Sequence, residues 1–127
     1  MPQLDALLES SLYVDDLARS VRFYQTVLGL ELLVSDGERL RAMGVAGRQV
    51  LLLFKKGASP DHDGDGRLHV AFAISSASLA EWEKRLAERG VAIESRTRWP
   101  RGAESLYFRD PDGHLLELAT PSVWPIY

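Results

Sequence analysis

The run LYVDDLARSVRFYQTVLGLELL, from Leu12 to Leu33, reads as strand, helix and strand in immediate succession. Ser10 to Val14 has strand character, and the acidic pair Asp15-Asp16 that follows can cap a helix. Leu17, Val21, Tyr24 and Leu28 then recur every three or four residues, which places them on one apolar stripe. Gly29 closes the helix at the position where a positive φ costs glycine little. Glu31 to Val34 reads as the strand that leaves it.

The same order returns further along. His69 to Ile74 reads as a strand, and Ser78 with Glu81 three residues later gives a capping-box pattern. Leu79, Trp82 and Leu86 carry the second helix, Gly90 stops it, and Val91 to Glu94 is the expected return strand. Arg39 to Val45 and Gln49 to Phe54 read as two more strands in the first half. Glu104 to Arg109 and Leu115 to Ala119 are their counterparts, joined by the turn Asp110-Pro111-Asp112-Gly113. Glu9 aligns with His69, Gly29 with Gly90, and Gln49–Leu52 with His114–Glu117, a repeat of about 60 residues. The expected fold is α+β, built from two tandem β-α-β-β-β modules within a single domain. Module one covers about 7–55, a linker about 56–67, module two about 68–121, and a tail 122–127.

Bulk properties narrow the functional classes. A chain of 127 residues, 46% hydrophobic and 26% charged, suits one globular domain. No apolar run is long enough for a transmembrane helix, and MPQLDALLES has no basic start leading into an apolar core. With 0 cysteines there is neither a disulfide framework nor a thiolate metal site. The net charge of −3 argues against nucleic acid as a partner. A cytoplasmic protein with no membrane association is therefore expected.

Strand alternation sorts the polar residues by face. His69 shares a face with Ala71 and Ala73, Glu117 with Leu115 and Ala119, and Glu9 with Ser11 and Tyr13. A carboxylate inside HLLELA is costly to bury unless it is paired, protonated or bound to metal. An imidazole and carboxylates converging on one cavity suit a divalent ion such as Mn, Fe(II), Co, Ni or Zn. Tyr13, Trp99, Tyr107 and Arg109 are candidates for contacting a substrate, although the parity of the Tyr107–Arg109 strand stays open. Asp61 to Gly66 opens like a calcium loop, but its twelfth position is Phe72 rather than a bidentate glutamate. A loop over the cavity mouth, with His62 as proton carrier, is the alternative reading.

LYVDDLARSVRFYQTVLGLELL, HVAFAI (69–74) and YFRDPDGHLLELATP (107–121) together resemble the glyoxalase, bleomycin-resistance and extradiol-dioxygenase superfamily, the vicinal oxygen chelate fold. The resemblance implies that each module curls into half of an open barrel, with helices outside and the site on the concave face. It also implies a homodimer. Its ligand positions fall on Glu9, Leu52, His69 and Glu117; leucine cannot ligate, which leaves Glu9, His69 and Glu117 with open positions for a chelating substrate. Two functions follow. One is a divalent-metal-dependent enzyme (lyase, isomerase, dioxygenase or transferase) acting on a small molecule with vicinal oxygens, in which Glu117 can also take part in acid/base chemistry. The other is a metal-free protein, like the bleomycin-binding relatives, that sequesters an aromatic or drug-like ligand.

Overall fold

The computed structural model describes residues 1–59 and 63–127. The chain divides into two compact units, Met1–Gly66 and Arg67–Tyr127. The first contains β1 (Glu9–Val14), α1 (Leu17–Thr26), β2 (Glu31–Asp36), β3 (Leu40–Val45) and β4 (Gln49–Lys55). The second contains β5 (His69–Ala73), a short 3-10 turn (Ser76–Ser78), α2 (Leu79–Glu88), β6 (Ser95–Arg98), β7 (Glu104–Arg109) and β8 (Leu115–Ala119). Each is β-α-β-β-β, so the fold is α+β as expected. None of the helices is long and apolar enough to cross a membrane among the described residues.

Both sheets are open, four-stranded and mixed, with strand orders β1-β4-β3-β2 and β5-β8-β7-β6. The first strand of each unit runs parallel to the last, and the remaining pairs are antiparallel. The registers repeat as well. Glu9 lies opposite Val50 as His69 lies opposite Leu115, and Ala42 opposite Leu52 as Tyr107 lies opposite Glu117. Leu52 thus occupies in the first sheet the place that Glu117 holds in the second.

The core of the first unit is one face of its sheet closed by one stripe of α1. Leu12, Val14, Met43, Leu51 and Leu53 are at most 2% exposed, and Leu17, Tyr24, Val27 and Leu28 cover them from the helix side. In the second unit Leu106, Phe108, Leu116 and Leu118 form the buried face, with Leu86 fully buried on α2. Removing each such side chain from water is worth about 1.5–3 kcal/mol. The opposite face of β5, β7 and β8 therefore remains for polar groups and small residues.

The two helix starts differ from each other. Asp16 Oδ1 accepts the Arg19 amide at 3.0 Å, a working N-cap for α1. The expected capping box at Ser78 is not made: its hydroxyl donates back to the Ser75 carbonyl at 2.9 Å. A 3-10 turn already occupies the approach to α2, so Ser78 has helical φ and ψ and its side chain cannot reach forward. Asp16→Ala should therefore lower unfolding stability by about 1 kcal/mol. Ser78→Ala should change it by less than about 0.5 kcal/mol. Equal losses in urea titrations of the two variants would contradict this difference.

The expected strand Val91–Glu94 is also corrected. The Val91 amide bonds to the Leu86 carbonyl at 2.8 Å and Gly90 has φ +72°, so this residue belongs to the helix stop. Pairing begins only at its end, where the Glu94 amide donates to the Tyr107 carbonyl at 2.7 Å, and continues with Ser95 to Arg98 against Tyr107 to Glu104. Gly29, with φ +71°, plays the stop role expected of it after α1, and the Leu30 amide returns to the Tyr24 carbonyl at 3.0 Å.

Candidate functional site

The polar face of the second sheet gathers the site. On β8, Glu117 points away from Leu116 and Leu118, and the ladder sets Ala71 on one side of it and Tyr107 on the other. Residues directly opposed across a ladder share a face, which settles the parity of β7: Tyr107 stands with Glu117, and Phe108 with the core. His69 Nε2 lies 3.2 Å from Glu117 Oε1, and the imidazole sits 6.5 Å from the Tyr107 ring. Glu117 is 7% exposed, whereas His69 is open to the concavity.

Each of the two residues is fixed by its other end. His69 Nδ1 is 2.9 Å from the Leu115 carbonyl oxygen. A carbonyl only accepts, so Nδ1 carries the hydrogen there and Nε2 is the nitrogen turned toward Glu117. The Ser105 hydroxyl donates to Glu117 Oε2 at 2.6 Å and accepts from Trp99 Nε1 at 2.9 Å. Ser105 is completely buried. A chain of hydrogen bonds from Trp99 through Ser105 thus holds the carboxylate in one rotation and presents Oε1 to the imidazole.

These groups form the polar end of a cavity of about 610 Å³ within the second unit. Its remaining walls include Ala71, Ala73 and Ala119, and the tail residues Val123, Trp124, Ile126 and Tyr127. The tail is tied down: the Tyr127 hydroxyl lies 2.9 Å from both the Ile74 and Ala119 carbonyls. Burial raises the Tyr127 phenol above its ordinary pKa, partly offset by the hydrogen bond to Ile74.

The other expected site residues are distributed as follows. Trp99 and Tyr107 line the cavity. The Arg109 guanidinium, further along β7, is taken by the Glu94 carboxylate at 2.7 and 3.0 Å and by the Gly113 carbonyl at 3.1 Å. That pairing holds the exposed Glu94 carboxyl below the usual range and raises Arg109. Glu9 is exposed on β1 of the first unit. Tyr13, in the same unit, stacks on Phe54 at 5.6 Å, and Gly64 packs so closely on its ring that a Cβ there would lie 2.5 Å away. His62 lies outside the described residues. So does Asp61 of the calcium-like run; of the rest, Asp63 accepts the Gly57 amide at 3.1 Å. Within neither unit do three or more His, Asp or Glu side chains cluster as metal ligands among the described residues.

Two contributors have no motif in the sequence. Ser105 is an ordinary serine until the β7–β8 register places it beside Glu117. The tail carries no such motif either, and Val123, Trp124, Ile126 and Tyr127 wall the cavity. Ser105→Ala should leave the fold intact, since alanine fits where the buried hydroxyl stood, but free both Glu117 Oε2 and Trp99 Nε1. Were Glu117 to hold a metal, losing the partner that orients it would cost about 10–100-fold in metal affinity. A Mn²⁺ titration of the variant that matched the wild type would show the chain of hydrogen bonds to be inert.

Comparison with known proteins agrees with this architecture. The family model described as the Glyoxalase/Bleomycin resistance protein/Dioxygenase superfamily matches residues 4–118. The metallothiol transferase FosB of Bacillus licheniformis is 35% identical over 112 residues, covering 87% of this chain and 72% of that protein. The crystal structure of a lactoylglutathione lyase from Agrobacterium tumefaciens superposes with a TM-score of 0.87 at 31% identity, over 97% of this chain and 98% of that one. The fosfomycin resistance protein FosX of Listeria monocytogenes gives a TM-score of 0.77 at 27% identity, with 95% and 94% covered. With a family match across almost its whole length, two β-α-β-β-β units and a His–Glu pair on the second sheet, this chain belongs to the glyoxalase, bleomycin-resistance and dioxygenase superfamily.

Proposed function

We propose that the protein is a divalent-metal-dependent enzyme acting on a small oxygen-bearing molecule, with His69 and Glu117 as two ligands of the ion and Glu9 as the third. The observation that carries this reading is the pairing of His69 Nε2 with Glu117 Oε1 at 3.2 Å while Nδ1 is committed to a backbone carbonyl. An imidazole lone pair and a carboxylate facing each other need a proton or a cation between them. A histidine whose other ring nitrogen donates to a carbonyl is the usual arrangement of a metal ligand. The separation also suits two neighbouring ligands of one ion, each about 2.0–2.2 Å from it.

The donor set, one imidazole with carboxylates, suits Mn, Fe(II), Co, Ni or Zn. When bound, such an ion supplies Lewis acidity, polarising substrate oxygens and stabilising negative charge that develops on them. The chain's own residues do the rest: Ser105 and Leu115 fix the two ligands, and Tyr107 and Trp99 flank the place where a substrate would lie. The names of the relatives, a metallothiol transferase, a lactoylglutathione lyase and a fosfomycin resistance protein, support chemistry of the transferase or lyase kind on a small molecule. Exposed Leu4, Leu7, Leu8, Leu32, Leu33 and Val34 support a homodimer.

The test is metal analysis of protein purified without chelator. About one ion per chain is expected, lost on His69→Ala and on Glu117→Gln and reduced on Glu9→Gln. Metal-free protein that takes up no added divalent ion would remove the enzyme reading and leave a ligand-sequestering protein. Retention of metal by Glu9→Gln would remove only Glu9 from the set.

A further inference from the structure

We propose that the C-terminal tail, residues 122–127, is the specificity wall of the second-unit cavity, and that its occupant is an uncharged amphipathic small molecule. An oxygen-bearing head would lie at His69 and Glu117, and a ring-sized hydrocarbon body against Val123, Trp124, Ile126 and Tyr127. The proposal rests on the reading of His69 and Glu117 given above, and it names the class of substrate that this site takes.

The cavity is divided by chemistry. Its polar groups stand together at one end, where β5, β7 and β8 bring His69, Tyr107 and Glu117 side by side. Ala71 stands directly beside Glu117, and further along β5 and β8 the sheet offers Ala73 and Ala119, whose small side chains leave the space that a larger residue would fill. The wall facing that space is apolar and comes from the tail. A volume of about 610 Å³ is more than a two- or three-carbon polar substrate needs and falls within the range of pockets that enclose a drug-sized ligand, ~300–1,000 Å³.

The tail is held rather than frayed. Ser122 takes a left-handed φ of +86°, which a non-glycine residue adopts at a cost, and this turns the chain back. The Tyr127 amide closes the turn on the Trp124 carbonyl at 3.1 Å, and the Tyr127 hydroxyl anchors it to the ends of β5 and β8. Yet Trp124 is 67% exposed and Ile126 96% exposed. Two large apolar side chains held in place beside a cavity, with little covering them, are what a ligand's hydrocarbon would bury. An aromatic body gains most, since ring contacts add to the area buried.

Charge decides the rest. Among the described lining residues there is no lysine or arginine, so an anionic body would enter without a counter-charge. Arg96 and Arg98, the nearby cations of β6, are paired with Glu83 and Glu104, and Arg101 Nη2 is 3.5 Å from the Val123 carbonyl oxygen without being one of the lining residues. Glu117 already faces His69, so a cationic body has no free acid in this lining to meet. An uncharged body is what remains.

The experiment compares two neutral vicinal diols, 1,2-propanediol and 1-phenyl-1,2-ethanediol, by calorimetric titration into the full chain with one equivalent of Mn²⁺. The phenyl compound should bind at least about tenfold more tightly, a difference of about 1.4 kcal/mol. That advantage should fall below about threefold in Trp124→Ala and separately in Ile126→Ala, with Mn²⁺ affinity unchanged in both. Both side chains are exposed, so circular dichroism should show an unaltered fold. An advantage that is absent, or that survives both substitutions, overturns the proposal. Loss of dimer in these variants with no phenyl advantage in the wild type also overturns it, and assigns the tail to a subunit contact. The two readings fail separately. Mn²⁺ bound without a phenyl advantage removes the tail wall alone. A tail-dependent advantage without Mn²⁺ binding removes the metal reading and leaves the wall.

Discussion

Glu117→Gln is expected to abolish metal uptake and to lower metal-dependent activity by more than about 100-fold, while its thermal midpoint, compared in metal-free protein, does not fall. The two halves of this result have different physical sources. Glutamine keeps the length and shape of the side chain, and its carbonyl oxygen still accepts the Ser105 hydroxyl that now reaches Oε2 at 2.6 Å. What it loses is charge. Changes to the partners of metal ligands already cost about 10–100-fold in affinity or activity, and replacing the ligand itself should exceed that. Stability moves otherwise, because Glu117 is 7% exposed and burying a carboxylate is costly unless an ion or proton compensates it. A neutral isostere relieves that cost. Residues that function retains against stability show this exchange, gaining stability when neutralised and losing activity. Glu117→Gln that retained metal, or that unfolded at lower temperature while Ser105→Ala did not, would mark the carboxylate as structural. Glu117→Asp gives a finer check: its shorter side chain moves the carboxylate away from the imidazole now 3.2 Å off, so metal binding should weaken without vanishing.

How much of this site was legible in the sequence follows from what each residue depends on. The pairing of His69 with Glu117 is legible because both sit in strongly patterned strands, and because the repeat sets them against Glu9 and Leu52. The observed registers reproduce that alignment pair for pair. The parity of β7 was not legible. Tyr107 and Phe108 are both large and aromatic, and only the β7–β8 ladder shows that the first faces the cavity and the second the core. Ser105 could not be found at all, since its role lies in a contact with a residue twelve positions away on another strand. The mistaken strand at Val91–Glu94 had a local cause. Val91 and Ile93 alternate as a strand would, but the helix stop claimed Val91 first. The capping box at Ser78 failed for a similar reason, because the backbone before it had already turned. In each case a short pattern lost to a neighbouring element that fixed φ and ψ. Arg109 and the tail show the converse. Glu94 competes for the first, and the second walls the cavity, and no sequence period reports either.

Phe108→Ala should be the most destabilising single change in the second unit, costing about 3–5 kcal/mol of unfolding free energy. Phe108 is fully buried, lies opposite Leu116 in the β7–β8 ladder and shares its face with Leu106 and Leu118, each at most 1% exposed. Neither strand can close the space, because the register on both sides is fixed by continuous pairing, so the substitution leaves a cavity as well as losing transfer energy. Domains of this size are stable by about 5–15 kcal/mol, so the loss is a third or more of the total for most of that range. Tyr107→Ala provides the control one residue away. Tyr107 is half-buried and faces the cavity, so truncating it opens an existing space rather than a packed one, and the cost should stay below about 1.5 kcal/mol. Urea unfolding followed by far-ultraviolet circular dichroism measures both. Equal losses would mean that the two faces of β7 are packed alike, contrary to the structure. A larger loss for Tyr107 would reverse the assignment of the faces, and Ser105, two residues before it on the same strand, would then no longer point at Glu117. The stability of one phenylalanine thus bears directly on which side of the sheet holds the chemistry.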